Sequence, residues 1–435
     1  MKPDARAQLR VDKYLRAYAE PEAALCAEFE ALRGTGLDAV LAVPIYAERD
    51  ADVAALLDSV EAACGASHRL LVILVINSRS DSPPEIETRN AALLDFLTAR
   101  HGPLQGQPPL WLSKECSFGR LLLVVRTAAT RPLPADQGVG LARKVGADAA
   151  LALIRCGSVR RPFIHFTDAD AVLPTDYFER IAKSAEGPDI PAAWTYPFVH
   201  VSSDPAEAER AMAYECRIRS YVHGLSRAGS PYAFHSVGST MAIAADAYAA
   251  VRGVPKRTAA EDFYLLNKVA KVGCVARLTG APIVLQGRVS TRVPFGTGMS
   301  LQALAKTGLA AARVYDPGAF ALLGQVIEAM ERLAQRRGRT LSQALGDDNA
   351  SLRLLDSLAI TEAIDRAAAR AGSTADRLHH MHIAFDGFRS LKLVNALRAR
   401  GYPDITLAEL ARRLDLGAGG GDPSTLSRAL AADGG

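Results

Sequence analysis

Two apolar runs separated by a helix-length segment constrain the fold more than any other feature of the sequence. The first run, LDAVLAVPIY, ends at Tyr46, and the second, LLVILVIN, spans residues 70–77. The segment between them, ADVAALLDSVEAACG, has the apolar spacing of a helix. Strands that are apolar throughout are typical of parallel sheets with both faces covered. The pattern therefore predicts a parallel strand–helix–strand unit.

The same alternation continues along the chain. LLLVVRT (121–127) predicts a third strand, GLARKVGADAALALI (140–154) a helix, and FIHFTDADA (163–171) a fourth strand. Beyond about residue 300 the pattern is almost wholly helical. We therefore predict an α/β fold, with a mostly parallel sheet flanked by helices and a helical C-terminal region. The predicted parts are an N-terminal helical segment (1–36), an α/β domain (37–300), a helical region (301–420) and a poorly ordered Gly-rich tail (421–435).

Composition excludes several classes of protein. The net charge of +4 over 435 residues, without a Lys/Arg block, argues against a nucleic-acid partner. The six cysteines form no CxxC pair, which favours a reduced, cytoplasmic setting. The N-terminus has no apolar core of a signal peptide, and no run reaches the length of a membrane span.

Asp168 and Asp170 flank one alanine at the end of the fourth predicted strand. In an extended segment, alternation would point both carboxylates to one face. Paired carboxylates at a sheet edge suit Mg²⁺ or Mn²⁺, which also takes oxygens from substrate phosphates. The alternative is a loop acid pair that caps the next helix. The position is informative because ligands bind beyond the carboxyl ends of parallel strands.

Other charged positions have both a functional and a structural interpretation. Glu261 and Asp262 open a helix, where the helix dipole alone favours acids, but Asp262 could also accept a proton from an attacking hydroxyl. Arg143 lies early in a helix, where a cation opposes the dipole, so either an anion lies near it or it belongs to a solvated basic face. Arg288 and Arg292 precede a Gly-rich turn, and this segment can fold over a diphosphate or be a plain turn.

Histidines give weaker signals. His379 and His382, in LHHMH, have helical spacing, but no acid or cysteine accompanies them at metal-site spacing, so we interpret them as helix surface and packing. His235 lies in a polar loop, PYAFHSVGST, and is a better candidate for substrate contact.

The chain resembles the family 2 glycosyltransferases of the GT-A fold, which are Rossmann-like. The resemblance rests on PIYAER, the polar loop after the second strand, ARKVG, DAD and AAEDFYLL in this order, and covers roughly residues 38–298. It departs from the family after the second strand, where Asn77 comes first and Asp81 four residues later instead of an acidic pair.

The resemblance implies roles position by position. It implies a divalent cation bound by Asp170, with Asp168 at the ribose or the metal's water. It implies Asp262 as the catalytic base, beside Glu261. The nucleotide contacts that it implies are Pro44, Tyr46, Glu48, Asn77, Asp81, Arg143, Asp168 and Arg292. The acceptor region would include Trp194, His235, Ser239 and Glu261.

The implied activity moves a sugar from a nucleotide-diphosphate sugar to a hydroxyl of a small molecule or glycan, aided by Mg²⁺ or Mn²⁺. A single displacement would invert the anomeric centre, and a retaining outcome stays open. A nucleotidyltransferase is the rival enzyme, although its basic phosphate loop would replace the acidic PIYAERDAD. A non-catalytic GT-A-fold binding protein is the alternative from another class. The helical C-terminal region could serve the acceptor pocket, a homodimer interface or packing on the sheet.

Overall fold

The structure is a computed structural model that describes residues 5–65, 69–287, 297–346, 349–417 and 419–433. The chain divides into two compact units. The first unit comprises Met1–Val199 and Ser236–Gln286, and the second comprises His200–His235 and Gly287–Gly435.

Among the described residues, nine strands form one mixed sheet in the order β11-β8-β10-β6-β1-β2-β5-β4-β3, and β7, β12 and β9 form a smaller one. The strands are β1 Ala39–Ile45, β2 Leu70–Asn77, β3 Gln105–Gln107, β4 Leu110–Leu112, β5 Gly119–Arg126, β6 Phe163–Phe166, β7 Ala171–Val172, β8 Ala193–Thr195, β9 Phe198–Val201, β10 Met241–Ala244, β11 Val275–Arg277 and β12 Ile283–Gln286.

The centre of the large sheet is parallel. Strand β1 pairs in parallel with β2 on one side and with β6 on the other, and β2 pairs in parallel with β5. All residues of β1 and β2 are buried, which is why their sequences are apolar without alternation. The outer strands β10 and β4 run antiparallel to their neighbours β6 and β5. The predicted mixed α/β fold with a largely parallel sheet is therefore confirmed.

The helices are α1 Ala5–Ala17, α2 Pro21–Glu28, α3 Asp50–Cys64, α4 Pro84–His101, α5 Val139–Arg155, α6 Tyr177–Ser184, α7 Pro205–Arg227, α8 Ala245–Ala250, α9 Glu261–Val269, α10 Thr297–Thr307, α11 Ala321–Gln335, α12 Leu341–Leu345, α13 Asn349–Ser357, α14 Ile360–Ala368, α15 Thr374–Ala384, α16 Gly387–Arg398, α17 Leu407–Arg413 and α18 Pro423–Asp433. No helix within the described ranges is long and apolar enough to cross a membrane.

Helix α5 packs directly on the centre of the sheet. A Cβ atom at Gly146 would lie 3.1 Å from Cγ2 of Val75 in β2 and 3.2 Å from Cβ of Ala42 in β1. The small residues of α5 therefore let the helix approach the sheet closely. As a result, almost the whole length of the helix is buried.

A buried polar network fastens α1 to α5. The carboxylate of Asp148, which is completely buried, accepts hydrogen bonds from Lys144 Nζ at 2.7 Å, Tyr14 Oη at 2.5 Å and Tyr248 Oη at 2.7 Å. It also accepts from the backbone N–H of Glu20 at 2.8 Å. The network satisfies the buried charges, so the N-terminal helices are an integral part of the first unit.

The second unit is helical and has two apolar clusters. One is built from α11, α14, α15 and α16 around Leu323, Ile364 and Leu393, and the other joins α7, α17 and α18. Leu426 and Leu430 of α18 are buried in the second cluster. The tail that its glycines predict to be poorly ordered thus contains a helix, because apolar residues at helical spacing follow the Gly-rich stretch.

The DAD segment also differs from the sequence prediction. Strand β6 ends at Phe166, and a turn at residues 169 and 170 separates it from β7. Alternation along one extended strand therefore does not apply to Asp168 and Asp170, because the chain turns between them.

Candidate functional site

The parallel strands end at one edge of the sheet. Ile45, at the end of β1, is level with Ile76 of β2, and Asn77 at the end of β2 is level with Arg126 of β5. Phe166, at the end of β6, pairs with Ala42 of β1. The loops that follow these strands accordingly meet at one edge, as the sequence predicts.

The loops after β1 and β2 are joined by polar side chains. The hydroxyls of Tyr46 and Ser82 lie 3.0 Å apart. The amide of Asn77 donates to the carbonyl of Ile45 at 2.6 Å, and Asn90 accepts from the N–H of Ala47 at 3.0 Å. Ala47 has a positive φ of 52°, which is unusual for a residue other than glycine. The loop after β1 is therefore held in a defined shape.

The acids of this edge differ in exposure. Glu48 is buried, and its carbonyl accepts from Arg89 Nε at 3.0 Å. Asp81 is half-exposed and lies 3.0 Å from Nε of Arg79. Pro44 is within the buried strand β1. Of the nucleotide contacts that the resemblance implies here, Tyr46 and Asp81 are thus the more accessible ones.

Arg143 brings together two acidic segments that are distant in sequence. Its Nη2 donates to Oδ1 of Asp168 at 2.9 Å and its Nε donates to Oε1 of Glu261 at 3.1 Å. Its Nη1 donates to the carbonyl of Gly238 at 2.9 Å. The guanidinium is buried, whereas the Asp168 side chain is 40% exposed. The structure thus places the end of β6, the start of α9 and the loop before β10 around one cation.

Charge complementarity keeps this arginine ionised. Burial lowers the pKa of Arg143, but the negative charges of Asp168 and Glu261 raise it by more, so the net shift is upward. A buried cation with carboxylate partners in hydrogen-bond geometry is the arrangement in which an ion pair is most strongly held.

Asp262 lies in the first turn of α9 beside this cluster and is half-buried. Burial, and next the negative charge of Glu261, raise the pKa of Asp262 to about 7. Arg143 and the N–H of Phe263, which donates to Oδ1 at 2.7 Å, oppose that shift. A carboxylate with a pKa near neutrality can accept a proton at physiological pH better than an ordinary one, which suits a general base.

The backbone before α9 is closely fixed. Ala260, the residue that caps the helix, is left-handed with φ 59°. The carbonyl of Arg257 accepts from the N–H of Gly140 at 3.1 Å. A Cβ at Gly140 would lie 2.5 Å from that carbonyl oxygen and 2.6 Å from the carbonyl oxygen of Pro255. Only glycine lets α5 approach this loop so closely, and the contact contributes to where α9 begins.

The positions implied for the acceptor region belong to different segments of the chain. The carbonyl of Ser239, next to Gly238, accepts from Thr167 Oγ1 at 3.0 Å, so this loop lies against the end of β6. Trp194 is completely buried in β8, and its indole N–H donates to Ser184. His235 belongs to the second unit. Arg292, and Arg288 beside it, lie outside the described residues.

Asn90 and Gly238 take part in the site's architecture, although no sequence pattern singles them out. Asn90 is a polar residue in an otherwise ordinary helix, and it also donates to the carbonyl of Asn77 at 2.9 Å. Gly238 contributes a carbonyl, and a Cβ there would lie 2.5 Å from Nη2 of Arg143. A backbone carbonyl that accepts a hydrogen bond, and a glycine that packs closely against a side chain, produce no recognisable pattern in the sequence.

The end of β6 offers few ligands for a metal ion. The described part of the chain contains no group of three or more His, Cys, Asp or Glu side chains that could hold an ion. Asp168 and Asp170 alone offer hard carboxylate oxygens, with one oxygen of Asp168 already bonded to Arg143. This set fits Mg²⁺ or Mn²⁺ only where a substrate supplies further oxygens, which is usual for Mg²⁺ in phosphate chemistry.

The fold and site together define an α/β protein with an acidic, Arg-braced cluster at the carboxyl edge of a parallel sheet. No protein-family model and no curated protein sequence matches the chain. Among solved structures, it is similar to the mannosyltransferase PcManGT of Pyrobaculum calidifontis, in complex with GDP-Man and Mn²⁺, and to TarS of S. aureus. Identity is 16% to the first, over 98% of this chain and 97% of that one, with a TM-score of 0.34. For TarS it is 12%, over 82% and 55%, also with a TM-score of 0.34.

Proposed function

We propose that the protein is a metal-dependent glycosyltransferase of the GT-A type that moves a hexose from a nucleotide-diphosphate sugar to an acceptor hydroxyl, with inversion. The observation on which the proposal rests is that Arg143 binds both Asp168 and Glu261. Two motifs that are individually weak in the sequence are thereby parts of one cluster. Convergent acids with a perturbed pKa at the carboxyl edge of a parallel sheet are what an active site of this kind requires.

Asp262 is the residue proposed as the base. Its raised pKa, caused by burial and by Glu261, makes it a carboxylate that can take the proton of an acceptor hydroxyl near pH 7. Glu261 is bonded to Arg143 and only 5% exposed, so its role is to shape the environment of Asp262. A base that deprotonates the acceptor hydroxyl suits a single displacement.

Asp170 is proposed as the direct ligand of Mg²⁺ or Mn²⁺, and Asp168 as the residue that orients the ribose and the metal's water. The hydrogen bond from Arg143 to Oδ1 of Asp168 supports this division, because it commits one oxygen of that carboxylate. When bound, the cation neutralises charge on a diphosphate leaving group. Asp168 remains 40% exposed, which leaves it accessible to a ligand.

The nucleotide is proposed to lie at the edge formed by β1 and β2. Tyr46 presents an aromatic ring, fixed by its contact with Ser82, and Asp81 presents an exposed carboxylate. Asn77 supports the site indirectly, because its amide holds the carbonyl of Ile45. Glu48 is proposed as a further contact through its loop.

The experiment is a donor screen with two product measurements. The purified full chain is incubated with each common nucleotide sugar and Mn²⁺, with and without a mixture of small hydroxylated acceptors, and nucleotides are separated by anion exchange. Transfer or donor hydrolysis releases a nucleoside diphosphate. In a parallel incubation with a nucleoside triphosphate and a sugar 1-phosphate, a nucleotidyltransferase instead releases pyrophosphate and forms a nucleotide sugar. A binding protein shows donor-dependent thermal stabilisation without any product. Asp246→Asn, an exposed Asp on α8, is the control for the site variants.

A further inference from the structure

We infer that Arg143 is a positioning residue, which sets where Asp168 and Asp262 stand, rather than a residue that binds donor phosphates. This inference rests on the proposed function for its kinetic consequences. It differs from the role that the family resemblance implies for the same side chain, which is contact with the nucleotide and its phosphates.

The guanidinium of Arg143 is occupied by protein acceptors. Each of its three nitrogens donates to a protein acceptor, at 2.9 Å to Asp168 and to the carbonyl of Gly238, and at 3.1 Å to Glu261. The side chain is only 3% exposed. An arginine that binds a phosphate presents paired N–H groups to the ligand, whereas here three of the five N–H groups of Arg143 donate to protein acceptors.

The three acceptors of Arg143 lie in three separate segments of the chain. Asp168 follows β6, Gly238 lies in the loop before β10, and Glu261 begins α9. Since α5 itself packs on β1 and β2, the guanidinium ties three separate segments to the rigid centre of the sheet. Asp262 follows Glu261 directly, so fixing Glu261 fixes the first turn from which Asp262 projects.

Gly238 lies so close to the guanidinium of Arg143 that a side chain there would collide with it. A Cβ at Gly238 would lie 2.5 Å from Nη2 and 2.9 Å from Cζ of Arg143. Because the guanidinium is buried and held by three hydrogen bonds, moving it would cost free energy. Gly238→Ala should therefore displace the guanidinium while it removes no charged group, which separates the effect of position from that of charge.

The kinetic test compares Arg143→Met, Arg143→Lys and Gly238→Ala with the control Lys144→Met. Lys144 is the next residue of α5 and is equally buried, but it pairs with Asp148. We expect Arg143→Met to lower kcat by about 10²-fold, because small misplacements of catalytic groups cost this much. Arg143→Lys and Gly238→Ala should lower kcat in the same direction, by less. KM for the donor should change by less than the change in kcat.

The pH profile of kcat/KM provides the readout that loss of stability alone would not move. Asp262 faces Glu261 on its own helix, Arg143 on α5 and Asp168 after β6. In Arg143→Met the cation is lost while the neighbouring acids remain, so the pKa of Asp262 should rise and the midpoint of the profile should move to higher pH. The midpoint should not move in Lys144→Met. An unchanged midpoint, or the same shift in Lys144→Met, would overturn the inference. A rise in donor KM with kcat unchanged would instead assign Arg143 to the phosphates.

A second measurement needs no activity and keeps the inference separate from the proposed function. In chemical unfolding, Glu261→Gln should recover part of the stability lost in Arg143→Met, because it removes a stranded buried carboxylate. The same substitution should recover nothing in Lys144→Met. If the wild-type chain handles no nucleotide sugar, the proposed function fails while this cycle still tests the coupling. Additive losses in the Arg143 pair would contradict the positioning role itself.

Discussion

Arg143 and Glu261, 118 residues apart in the sequence, are joined by a buried hydrogen bond of 3.1 Å. The bond places the start of α9 against α5, and through α5 against the centre of the sheet. Because Asp262 is the next residue after Glu261, this contact helps to fix the position of the proposed base. The predictions below follow from that arrangement and from the network that supports it.

The pH dependence of turnover should report Asp262. Burial and Glu261 raise the pKa of Asp262 to about 7, so below that pH the carboxyl is protonated and cannot accept a proton. We therefore expect kcat/KM to rise with pH, about tenfold per unit below the midpoint, and to level off above it. Glu261→Gln should move the midpoint to lower pH, since it removes a neighbouring negative charge. A profile that is flat between pH 5 and 8 would exclude Asp262 as the base.

Metal-dependent binding of the donor should depend on Asp170. In calorimetric titrations with a nucleoside diphosphate and Mn²⁺, Asp170→Ala should weaken binding by about 10²-fold or more, because loss of even an indirect ligand partner typically costs 10- to 100-fold. The control is Asp189→Ala, an exposed loop residue, which should bind normally. Equal affinity in wild type and Asp170→Ala would remove Asp170 from the metal site.

Asp148 should be the residue of the N-terminal network on which stability depends most. It is completely buried and accepts hydrogen bonds from Lys144, Tyr14 and Tyr248. Asp148→Asn leaves the Lys144 ammonium buried without its counter-charge and should cost about 3 kcal/mol or more in the free energy of unfolding.

The control for Asp148 is Asp12→Asn. Asp12 joins the same two helices through Arg155, but that pair is exposed, so its loss should cost under about 1 kcal/mol. Urea unfolding followed by circular dichroism measures both variants. Similar losses in the two would show that the buried network contributes no more than a surface pair.

The left-handed residue before α9 should be strained. Ala260 has φ 59°, a conformation that costs a residue with a Cβ roughly 1 kcal/mol relative to glycine. Ala260→Gly should therefore stabilise the protein by about that amount. Ala270, which caps the other end of the same helix, is right-handed, so Ala270→Gly should give no such stabilisation. Thermal unfolding of the two variants compares them directly, and destabilisation by both would mean that Ala260 is relaxed where it stands.

Much of the fold follows from the sequence because its dominant signal is local. The wholly apolar runs that become β1, β2 and β5 are recognisable on their own, and parallel pairing then places their ends together. The short strands β3, β7 and β11 give no such signal, since two or three residues cannot show a period. Helix α18 was not predicted, because the Gly-rich stretch before it indicates a poorly ordered tail.

The site was less predictable than the sheet. The chemistry of Asp168, Asp170 and Asp262 follows from residue type and from resemblance, but the turn after Asp168 could not be inferred from alternation. The partners of Arg143 lie far from it in sequence, one of them a backbone carbonyl at Gly238. Such contacts depend on the packing of three loops, which no local pattern encodes. The roles of all these site residues, and those of His235 and Arg292, stay predictions.

The central claim, sugar transfer with Asp262 as the base, is tested most directly by nucleoside diphosphate release from the donor identified in the screen. Initial rates are measured at pH 7.5 with Mn²⁺ and acceptor for wild type, Asp262→Asn and the control Asp246→Asn, alongside donor affinity. We expect Asp262→Asn to bind the donor with near-normal affinity and to turn over about 10²- to 10⁴-fold more slowly, the range typical of a general base. Turnover within a few-fold of wild type in Asp262→Asn would contradict the account.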